Sequence, residues 1–328
     1  MLPRIALTLI AFIFVVSLSA CSQLGKPTLL RVGLNDWPGY AIAIYAKEAK
    51  LFEKYGIEVD LVEFINQQDN IRATIRGAQD MSFVTLWELM QIDPSDDNPV
   101  VVLVADISAG SDGIVARPEF SSVNELRGKK VSAKLGTVAH LILLEALSKQ
   151  KIPPDDVEIV NVSNERGAEL LKTSDIDAAV MWEPLLSKTQ EITDGKIIYT
   201  TKDIDSLVID TLATGSKFLK NNRSNVTKFI MAWLDAIHDM EVKPDVVLEV
   251  IAQQTGQTVQ SFSRGYSGLK EGDIALNKRM FEQNGRLQEA LQNAKSLLRQ
   301  DLRHGKVIRD NTKIDSEPLM AAIADWKP

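Results

Sequence analysis

The sequence has few of the residues on which most catalytic and metal centres depend. Its 328 residues include one cysteine and three histidines, and aromatic residues make up only 6%. One cysteine excludes an internal disulfide and a cysteine-based metal site. The histidines, His140, His238 and His304, lie far apart, and no zinc-protease, serine-hydrolase or phosphate-loop motif is present. We therefore expect no metal, no cofactor and no enzymatic activity.

A surplus of positive charge is also lacking. The chain carries 37 Lys and Arg residues against 44 Asp and Glu residues, which gives a net charge of −7. Nucleic-acid surfaces and polybasic docking sites on anionic lipid need clustered basic side chains, so we expect no nucleic acid as a partner. The composition, 45% hydrophobic and 25% charged, is ordinary for a globular protein. A chain of this length can form one large domain or two ordinary ones.

A hydrophobic run occurs at the N-terminus. Arg4 precedes 16 uncharged residues, 5–20, and Cys21 follows them. The run is shorter than the roughly 20 residues of a membrane-spanning helix, and a basic start with a short apolar core is typical of a secretory signal. The letters "LSAC", which end at Cys21, resemble the bacterial lipobox, whose cysteine is acylated. We expect a lipoprotein signal peptide over 1–20, lipidation of Cys21 and a tether over 21–28, with an uncleaved anchor helix as the alternative.

Strand-like and helical segments alternate after the tether, which predicts βαβ units and a mostly parallel sheet. The first unit combines such segments at 29–34, 39–56, 57–64, 70–77, 80–84 and 100–107. The second unit runs from about 112 to 200 and combines them at 129–135, 137–151, 157–162, 164–173 and 176–181. Residues 206–215 are predicted to return as a strand to the first unit. Helical patterns follow, including 225–240 and 286–302.

Two stretches end in the same way, "DMSFVTLWE" in the first unit and "DIDAAVMWE" in the second. Each begins with Asp, continues as an apolar strand and reaches Trp-Glu at the same distance. Ligands of open parallel sheets bind beyond the carboxyl ends of the strands. We therefore expect Trp87 with Glu88, and Trp182 with Glu183, to line a shared cleft. The alternative is that each Trp packs on its own sheet and each Glu is a solvated residue of a helix's first turn.

Several stretches resemble one family of transport proteins in their order and spacing. The chain is similar to the solute-binding lipoproteins of ABC importers, in the nitrate/sulfonate/taurine and thiamine-precursor binding group called NMT1/THI5-like. The matching stretches are 32–64, 75–83, 104–117, 123–137 and 175–184. The resemblance implies an α/β protein with the type II periplasmic-binding-protein fold: two α/β lobes, two crossing strands and a ligand cleft between the lobes. It places lobe I at 29–110 plus 206–328, and lobe II at 111–205.

The resemblance also implies a set of ligand-binding residues. They occupy strand ends, the first crossover and the start of a helix in lobe II: Asp36, Trp37, Tyr40, Thr85, Trp87, Ser108, Ser111, Thr137, His140, Trp182, Glu183 and Asp210. Glu88 and Asp112 are further cleft candidates. Two of these residues have equally simple structural roles, since Asp36 could be a helix N-cap and His140 a satisfied surface residue.

The candidate cleft positions are rich in acid and poor in base. Asp36, Glu88, Asp112, Glu183 and Asp210 are all candidates, whereas Lys134 is the one obvious base nearby. At ~4 Å and an effective dielectric of about 20, each carboxylate attracts a cation by roughly 4 kcal/mol. That exceeds the ~0.3–1 kcal/mol with which a helix N-terminus attracts an anion. The predicted ligand is an amine, a quaternary ammonium or a nitrogen heterocycle, with a small anion such as sulfonate, nitrate or bicarbonate as the alternative.

The resemblance implies where the protein acts and with what. We expect a monomer anchored by lipid at the periplasmic face of the cell envelope, on the outer membrane of a Gram-negative host. Its partners would be a small-molecule ligand and an ABC permease in the inner membrane. A ligand sensor for a membrane signalling protein is the alternative role.

Overall fold

The computed structural model describes residues 27–91, 97–204, 206–282, 285–305 and 308–328. The predicted signal peptide, Cys21 and nearly all of the predicted tether lie outside the described residues. Within those residues, no helix combines the length and the apolar character needed to cross a bilayer.

Strands and helices alternate through the first two thirds of the chain, and helices dominate the rest. The strands are β1 (Thr28–Leu34), β2 (Ile57–Glu63), β3 (Met81–Thr85), β4 (Pro99–Ser108), β5 (Asp112–Ala116), β6 (Lys130–Ser132), β7 (Glu158–Val160), β8 (Ala178–Trp182), β9 (Lys196–Thr200), β10 (Ile209–Gly215), β11 (Leu269–Glu271) and β12 (Lys313–Ile314). The α-helices are α1 (Ala41–Glu48), α2 (Leu51–Lys54), α3 (Gln67–Ile75), α4 (Leu86–Leu89), α5 (Val138–Lys149), α6 (Asn164–Lys172), α7 (Leu185–Thr193), α8 (Ser216–Val242), α9 (Pro244–Thr255), α10 (Val259–Tyr266), α11 (Ile274–Phe281), α12 (Arg286–Leu298) and α13 (Glu317–Asp325).

The strands form two mixed sheets, each the centre of one α/β lobe. The sheet of lobe I has the order β11-β4-β10-β3-β1-β2 with β12 beside β4, and the sheet of lobe II has the order β7-β6-β8-β5-β9. β10 is antiparallel to β3 and β4, and β5 is antiparallel to β8 and β9. The other strands of each sheet run in one direction, apart from β11, so the prediction of a mostly parallel sheet holds except at β5, β10 and β11. The strands β5 and β10 are entered when the chain crosses between lobes, and a direct crossing does not preserve strand direction as a βαβ helix does.

Local sequence signals explain most of the element boundaries. The helix predicted over 39–56 is interrupted where Lys50 adopts the left-handed conformation, with φ of 57°. The helix predicted from residue 70 begins earlier, at Gln67, because the Asn66 side chain caps it by accepting the N–H of Gln68 at 2.8 Å. The helix predicted over 225–240 extends over all of α8, with non-helical backbone at Asn222.

The connections between the lobes are bonded to each other. The hydroxyls of Ser108 and Thr201 lie 2.6 Å apart, and the N–H of Gly110 donates to the Thr201 hydroxyl at 2.9 Å. Gly110 has φ of 145°, a conformation that favours glycine. The N–H of Ser108 also donates to the carbonyl of Val208 at 3.0 Å. These bonds fix the two crossings side by side at the floor of the space between the lobes.

The lobe boundaries remain a prediction, although all five strands of the second sheet lie between residues 112 and 200. One C-terminal helix contacts both lobes. α12 buries Leu287, Leu291 and Leu298 and contacts α4 and α5. Because α5 follows β6 of the second sheet, the C-terminal region reaches beyond the lobe to which we assigned it.

Candidate functional site

A small cavity lies between the two lobes at the ends of the central strands. Its volume is about 20 Å³, which holds about one water molecule. Lobe I contributes the loop after β1, the start of α3, the ends of β3 and β10, and α4; lobe II contributes β5, β8 and the start of α5. The lining residues are Asn35, Trp37, Tyr40, Gln67, Thr85, Glu88, Asp112, Val138, Trp182, Val208 and Asp210. Seven of them are predicted ligand residues: Trp37, Tyr40, Thr85, Glu88, Asp112, Trp182 and Asp210.

A larger outer cleft opens from this inner cavity. Its volume is about 590 Å³, and it shares Gln67, Glu88 and Trp182 with the inner cavity. The rest of its wall comes from the ends of β2 and β6 and from the starts of α3, α5 and α6: Asp36, Glu63, Phe64, Ile65, Asn66, Lys134, Thr137, Ser163, Asn164 and Glu165. The predicted residues Asp36 and Thr137 therefore lie in the outer cleft. The two spaces together form one site, with a narrow inner end and a wide entrance.

Two carboxyl groups face each other at the inner end. Asp210 on β10 pairs in register with Asp106 on β4. The Tyr40 hydroxyl donates to Oδ1 of Asp210, and the Trp37 indole N–H donates to both oxygens of Asp106, at 3.1 and 3.2 Å. Trp37 and Tyr40 flank Pro38, which begins the short helical turn after β1. The predicted aromatic loop thus covers two acids, one of which, Asp106, we did not predict.

Burial sets the protonation of this pair. Burial, together with a smaller contribution from the charge of Asp112, raises the pKa of Asp106 to about 8. Burial and the neighbouring Asp106 also raise the pKa of Asp210 well above its ordinary value. Two like charges opposite each other in a sheet destabilise it, so the pair holds a proton at neutral pH. The pKa of Tyr40 is raised by burial and by Asp210, which keeps its hydroxyl a donor.

Asp112 supplies a third acid from the other lobe. It lies on β5, in register with Trp182, and is 1% exposed. Burial, with smaller contributions from the charges of Glu88 and Glu183, raises its pKa to about 7. The Ser108 hydroxyl is near enough to lower this pKa slightly, but neither oxygen of Asp112 has a well-aligned hydrogen bond among the described residues. A buried acid at a cavity wall whose oxygens lack well-aligned hydrogen bonds is typical of a binding or catalytic site.

Glu88 is the fourth acid, and it connects the lobes. The Thr85 hydroxyl donates to its carboxyl group, and the Glu88 N–H donates to the Thr85 hydroxyl oxygen at 3.2 Å. The other carboxyl oxygen accepts the N–H of Val138, the first residue of α5, at 3.2 Å. Burial raises the pKa of Glu88 to about 7, against the lowering effect of these bonds.

Further hydrogen bonds join the lobes around the site. The amide side chains of Gln68 and Gln91 donate to the carbonyl of Gly136, at 3.0 and 2.8 Å. On the opposite side, the Trp182 indole N–H donates to Asp36 at 3.3 Å. Asp36 is thus bonded to Trp182, and its side chain makes no N-cap bond to the turn that follows it. The lobes are closed on each other.

Four buried acids, Glu88, Asp106, Asp112 and Asp210, have no basic counterpart among the described residues. No Lys or Arg side chain there forms an ion pair with them, and none is among the main causes of their pKa shifts. Lys134 lies on the wall of the outer cleft. The described residues also hold no group of three or more His, Cys, Asp or Glu side chains placed to bind a metal ion.

Five predicted ligand residues lie outside both cavity walls, and two of them are held at the crossings. The Ser108 hydroxyl bonds to Thr201, and the Ser111 hydroxyl donates to the carbonyl of Gly265. Trp87 is 2% exposed, because it lies inside α4 and turns away from its neighbour Glu88 into the core.

His140 and Glu183 have structural partners instead. His140 is fully buried; its Nδ1 accepts the N–H of Gly136 at 3.4 Å, and its Nε2 lies 3.1 Å from Asp301. It is therefore not the surface residue of our alternative. Glu183 accepts the N–H and the hydroxyl of Ser187 at 3.1 and 2.5 Å in the first turn of α7.

The structure adds residues that sequence reasoning did not select. Asn35, Gln67, Val138 and Val208 line the inner cavity, and Asp106 lies beneath it. Asn35 and Gln67 follow strands, so the rule of strand ends could have identified them. Asp106 stands in an apolar strand, and its isolated charge there was the available signal.

Known proteins resemble this chain in sequence. A Brucella abortus protein described as a binding protein is 28% identical over 172 residues, which are 51% of this chain and 52% of that protein. The chain thus matches about half the length of that relative. The taurine-binding periplasmic protein of Escherichia coli K12 is 26% identical over 235 residues, 70% of this chain and 68% of that protein.

Solved structures resemble it in fold. The periplasmic aliphatic sulphonate binding protein SsuA of Escherichia coli superimposes with a TM-score of 0.72 at 16% identity, over 86% of this chain and 95% of that one. The desulfurization enzyme DSZB superimposes with a TM-score of 0.66 at 15% identity, over 90% and 99%. The expected two-lobed periplasmic-binding-protein fold is confirmed. The family model described as NMT1/THI5 like matches residues 37–246, more than half of the chain, and the protein therefore belongs to the NMT1/THI5-like family.

Proposed function

We propose that this protein is a solute-binding protein that captures a small cation between its lobes and delivers it to an ABC importer. The observation that carries the proposal is a group of four buried acids, three in the wall of one aromatic-walled cavity and Asp106 beneath it, with no basic partner among the described residues. The family and the two-lobed fold support a binding protein. The acids support the sign of the ligand's charge.

The charge balance favours a cation over an anion. At ~4 Å and an effective dielectric of about 20, each ionised carboxylate attracts a positive charge by roughly 4 kcal/mol and repels a negative one equally. Trp37, Tyr40 and Trp182 present aromatic rings to the same cavity, and such faces add about 0.5–2 kcal/mol for a cation. Protons held by the acids take the place of that charge when the ligand is absent.

The shape of the site favours a ligand with a small charged end and a larger polar body. The inner cavity accommodates only a compact group, whereas the outer cleft of about 590 Å³ accommodates more. The side-chain Nδ2 of Asn164 on the outer wall is buried and has no hydrogen-bond partner among the described residues, so it can donate to a ligand oxygen. Asp36, Glu63 and Glu165 on the same wall disfavour a second, anionic end. The proposed ligand is an amine, a quaternary ammonium or a protonated nitrogen heterocycle with a neutral oxygen-bearing body.

A binder of a small anion for the same kind of importer is the second candidate. It rests on the relatives, because one is named for taurine and another for sulphonates. A ligand sensor for a membrane signalling protein would use the same site. We propose binding rather than catalysis although DSZB shares the fold, because the chain carries one cysteine, at position 21, and none of the hydrolase motifs.

The proposed location follows from the N-terminal sequence. Residues 1–20 would be removed as a signal peptide, and Cys21 would carry the lipid that anchors a monomer to the periplasmic face of the envelope. The outer membrane is the proposed site in a Gram-negative host, and the permease would lie in the inner membrane.

A thermal-shift screen tests the ligand class. The purified protein is unfolded and refolded to remove carried ligand, then titrated with amines, betaines and pyrimidines against taurine, nitrate and bicarbonate. A ligand at 100 times its Kd raises stability by about 2.7 kcal/mol, a clear rise in Tm. We expect hits among the cations, abolished in Asp210→Asn and kept in the exposed control Asp155→Asn. Hits among the anions alone would overturn the proposed ligand class.

A further inference from the structure

We infer that Glu88 determines the charge selectivity of the site by occupying the helix N-terminus at Val138, which opens into the inner cavity and would otherwise suit an anion. The inference rests on the proposed function, because it takes the cavity to be the ligand site. It goes beyond that function because it assigns selectivity between cations and anions to one side chain.

The position in question is the beginning of α5. The first N–H groups of a helix have no partner within it, and with the helix dipole they attract negative charge. α5 is 12 residues long, and its N-cap residue Thr137 makes no side-chain cap, because its hydroxyl donates to the carbonyl of Lys134 at 2.8 Å. Val138, the first residue of the helix, lines the inner cavity. This helix end therefore needs a negatively charged or polar partner within the cavity.

The protein supplies that partner from the opposite lobe. The carboxyl group of Glu88 accepts the Val138 N–H at 3.2 Å, and the Thr85 hydroxyl fixes its other oxygen. Glu88 is 1% exposed and belongs to the walls of both the inner cavity and the outer cleft. An anionic ligand would find the helix end occupied and a carboxylate beside it.

The unpartnered oxygens of Asp112 indicate what the cavity still lacks. Asp112 is buried in the wall of the same cavity, and neither of its oxygens has a well-aligned hydrogen bond among the described residues. With the helix end satisfied by Glu88, the remaining need of the cavity is for hydrogen-bond donors and positive charge. Without Glu88, the free helix end would attract an anion and repel a cation.

Two substitutions separate the charge of Glu88 from its occupancy of the helix end. Glu88→Gln keeps an oxygen that can accept the Val138 N–H but removes the charge. Glu88→Ala removes both. Glu125→Ala is the matched control, because Glu125 forms a comparable capping box with Ser122 at the surface, away from the cavity. Circular dichroism of each variant verifies that it is folded.

Calorimetric titrations with choline and with methanesulfonate are the readout. We expect both Glu88 variants to bind choline at least about tenfold more weakly than the wild-type protein does. Both variants should bind methanesulfonate more tightly than the wild-type protein does, because one repulsive charge is gone, and Glu88→Ala more tightly than Glu88→Gln, because only there is the helix end vacant. Glu125→Ala should bind both probes as the wild-type protein does.

The outcomes separate this inference from the proposed function. If the wild-type protein binds choline and the folded Glu88 variants keep the same preference, the assignment of selectivity to Glu88 is overturned while the cation site stands. If the wild-type protein binds methanesulfonate and rejects cations generally, the proposed ligand class fails. Should Glu88→Ala not fold, a folded Glu88→Gln with undiminished choline binding overturns the inference by itself.

Discussion

Asp106 and Asp210 lie directly opposite each other on adjacent antiparallel strands, with Trp37 bonded to one carboxyl group and Tyr40 to the other. A sheet gains nothing in stability from two buried acids in this arrangement. Asp210 lines a cavity between the two lobes and Asp106 lies beneath it, so their combined charge can stabilise a positively charged group in that cavity. Asp112 adds a third acid from the opposite lobe, and Glu88 adds a fourth from lobe I.

The pH dependence of ligand binding follows from the raised pKa values. The pKa is about 7 for Glu88 and Asp112 and about 8 for Asp106, all raised by burial, and that of Asp210 is raised as well. A bound cation displaces protons from these groups. We expect affinity for a cation to rise from about pH 5.5 to about pH 8.5, by up to roughly tenfold per pH unit for each proton displaced.

Stability of the ligand-free protein should change in the opposite direction. Groups whose pKa is raised by folding hold protons in the folded state that the unfolded state has released. The free energy of unfolding therefore falls as pH rises from about 4 through about 8, where these groups ionise. Denaturant unfolding across that range measures the fall, and titrations in buffers of different ionisation enthalpy measure proton release. Cation affinity that stays constant with pH would contradict the assigned protonation.

Asp112→Asn should lower the affinity for the ligand and raise the stability of the folded protein. The substitution removes a buried charge that has no well-aligned hydrogen bond, so we expect the ligand-free protein at about pH 8 to gain on the order of 1–2 kcal/mol. Cation affinity should fall roughly 10–100-fold with the loss of one attractive charge. Thermal unfolding and calorimetry measure the two effects. Exposed Asp155→Asn, the control, should change stability by no more than about 0.5 kcal/mol. Equal affinity in Asp112→Asn and wild type would remove Asp112 from the site.

The two Trp residues of the repeated stretches should respond differently to substitution. Trp182 lines the cavity, so Trp182→Ala is expected to lower cation affinity by the ~0.5–2 kcal/mol of a lost aromatic face, with a small effect on Tm. Trp87 is buried in the core, so Trp87→Phe is expected to lower stability by on the order of 1–3 kcal/mol and to leave affinity nearly unchanged. The reverse pattern would mean that Trp87 contacts the ligand.

The repeated stretches also show how far the sequence could predict the site. Both were expected to present Trp and Glu together, yet each presents one of the two to the inner cavity: Glu88 in the first stretch and Trp182 in the second. Trp182 is the last residue of β8 and keeps the strand's alternation, whereas Trp87 already lies in α4. A helix turns about 100° per residue, so neighbours point in different directions. The sequence pattern is the same in both stretches, but the secondary structure at its end differs.

The sequence was sufficient to predict the family, the two α/β units and the acidic, aromatic character of the strand ends. Those features depend on local patterns of apolar and polar residues, which a chain carries without any long-range contact. Which acids lie next to each other depends on the tertiary structure. Asp106 faces Asp210 because of strand register, and Glu88 reaches Val138 because two lobes close on each other. The tertiary structure also brings His140 into contact with Asp301, which is about half the chain away in sequence. Such pairings depend on packing between distant segments, and no local pattern encodes them.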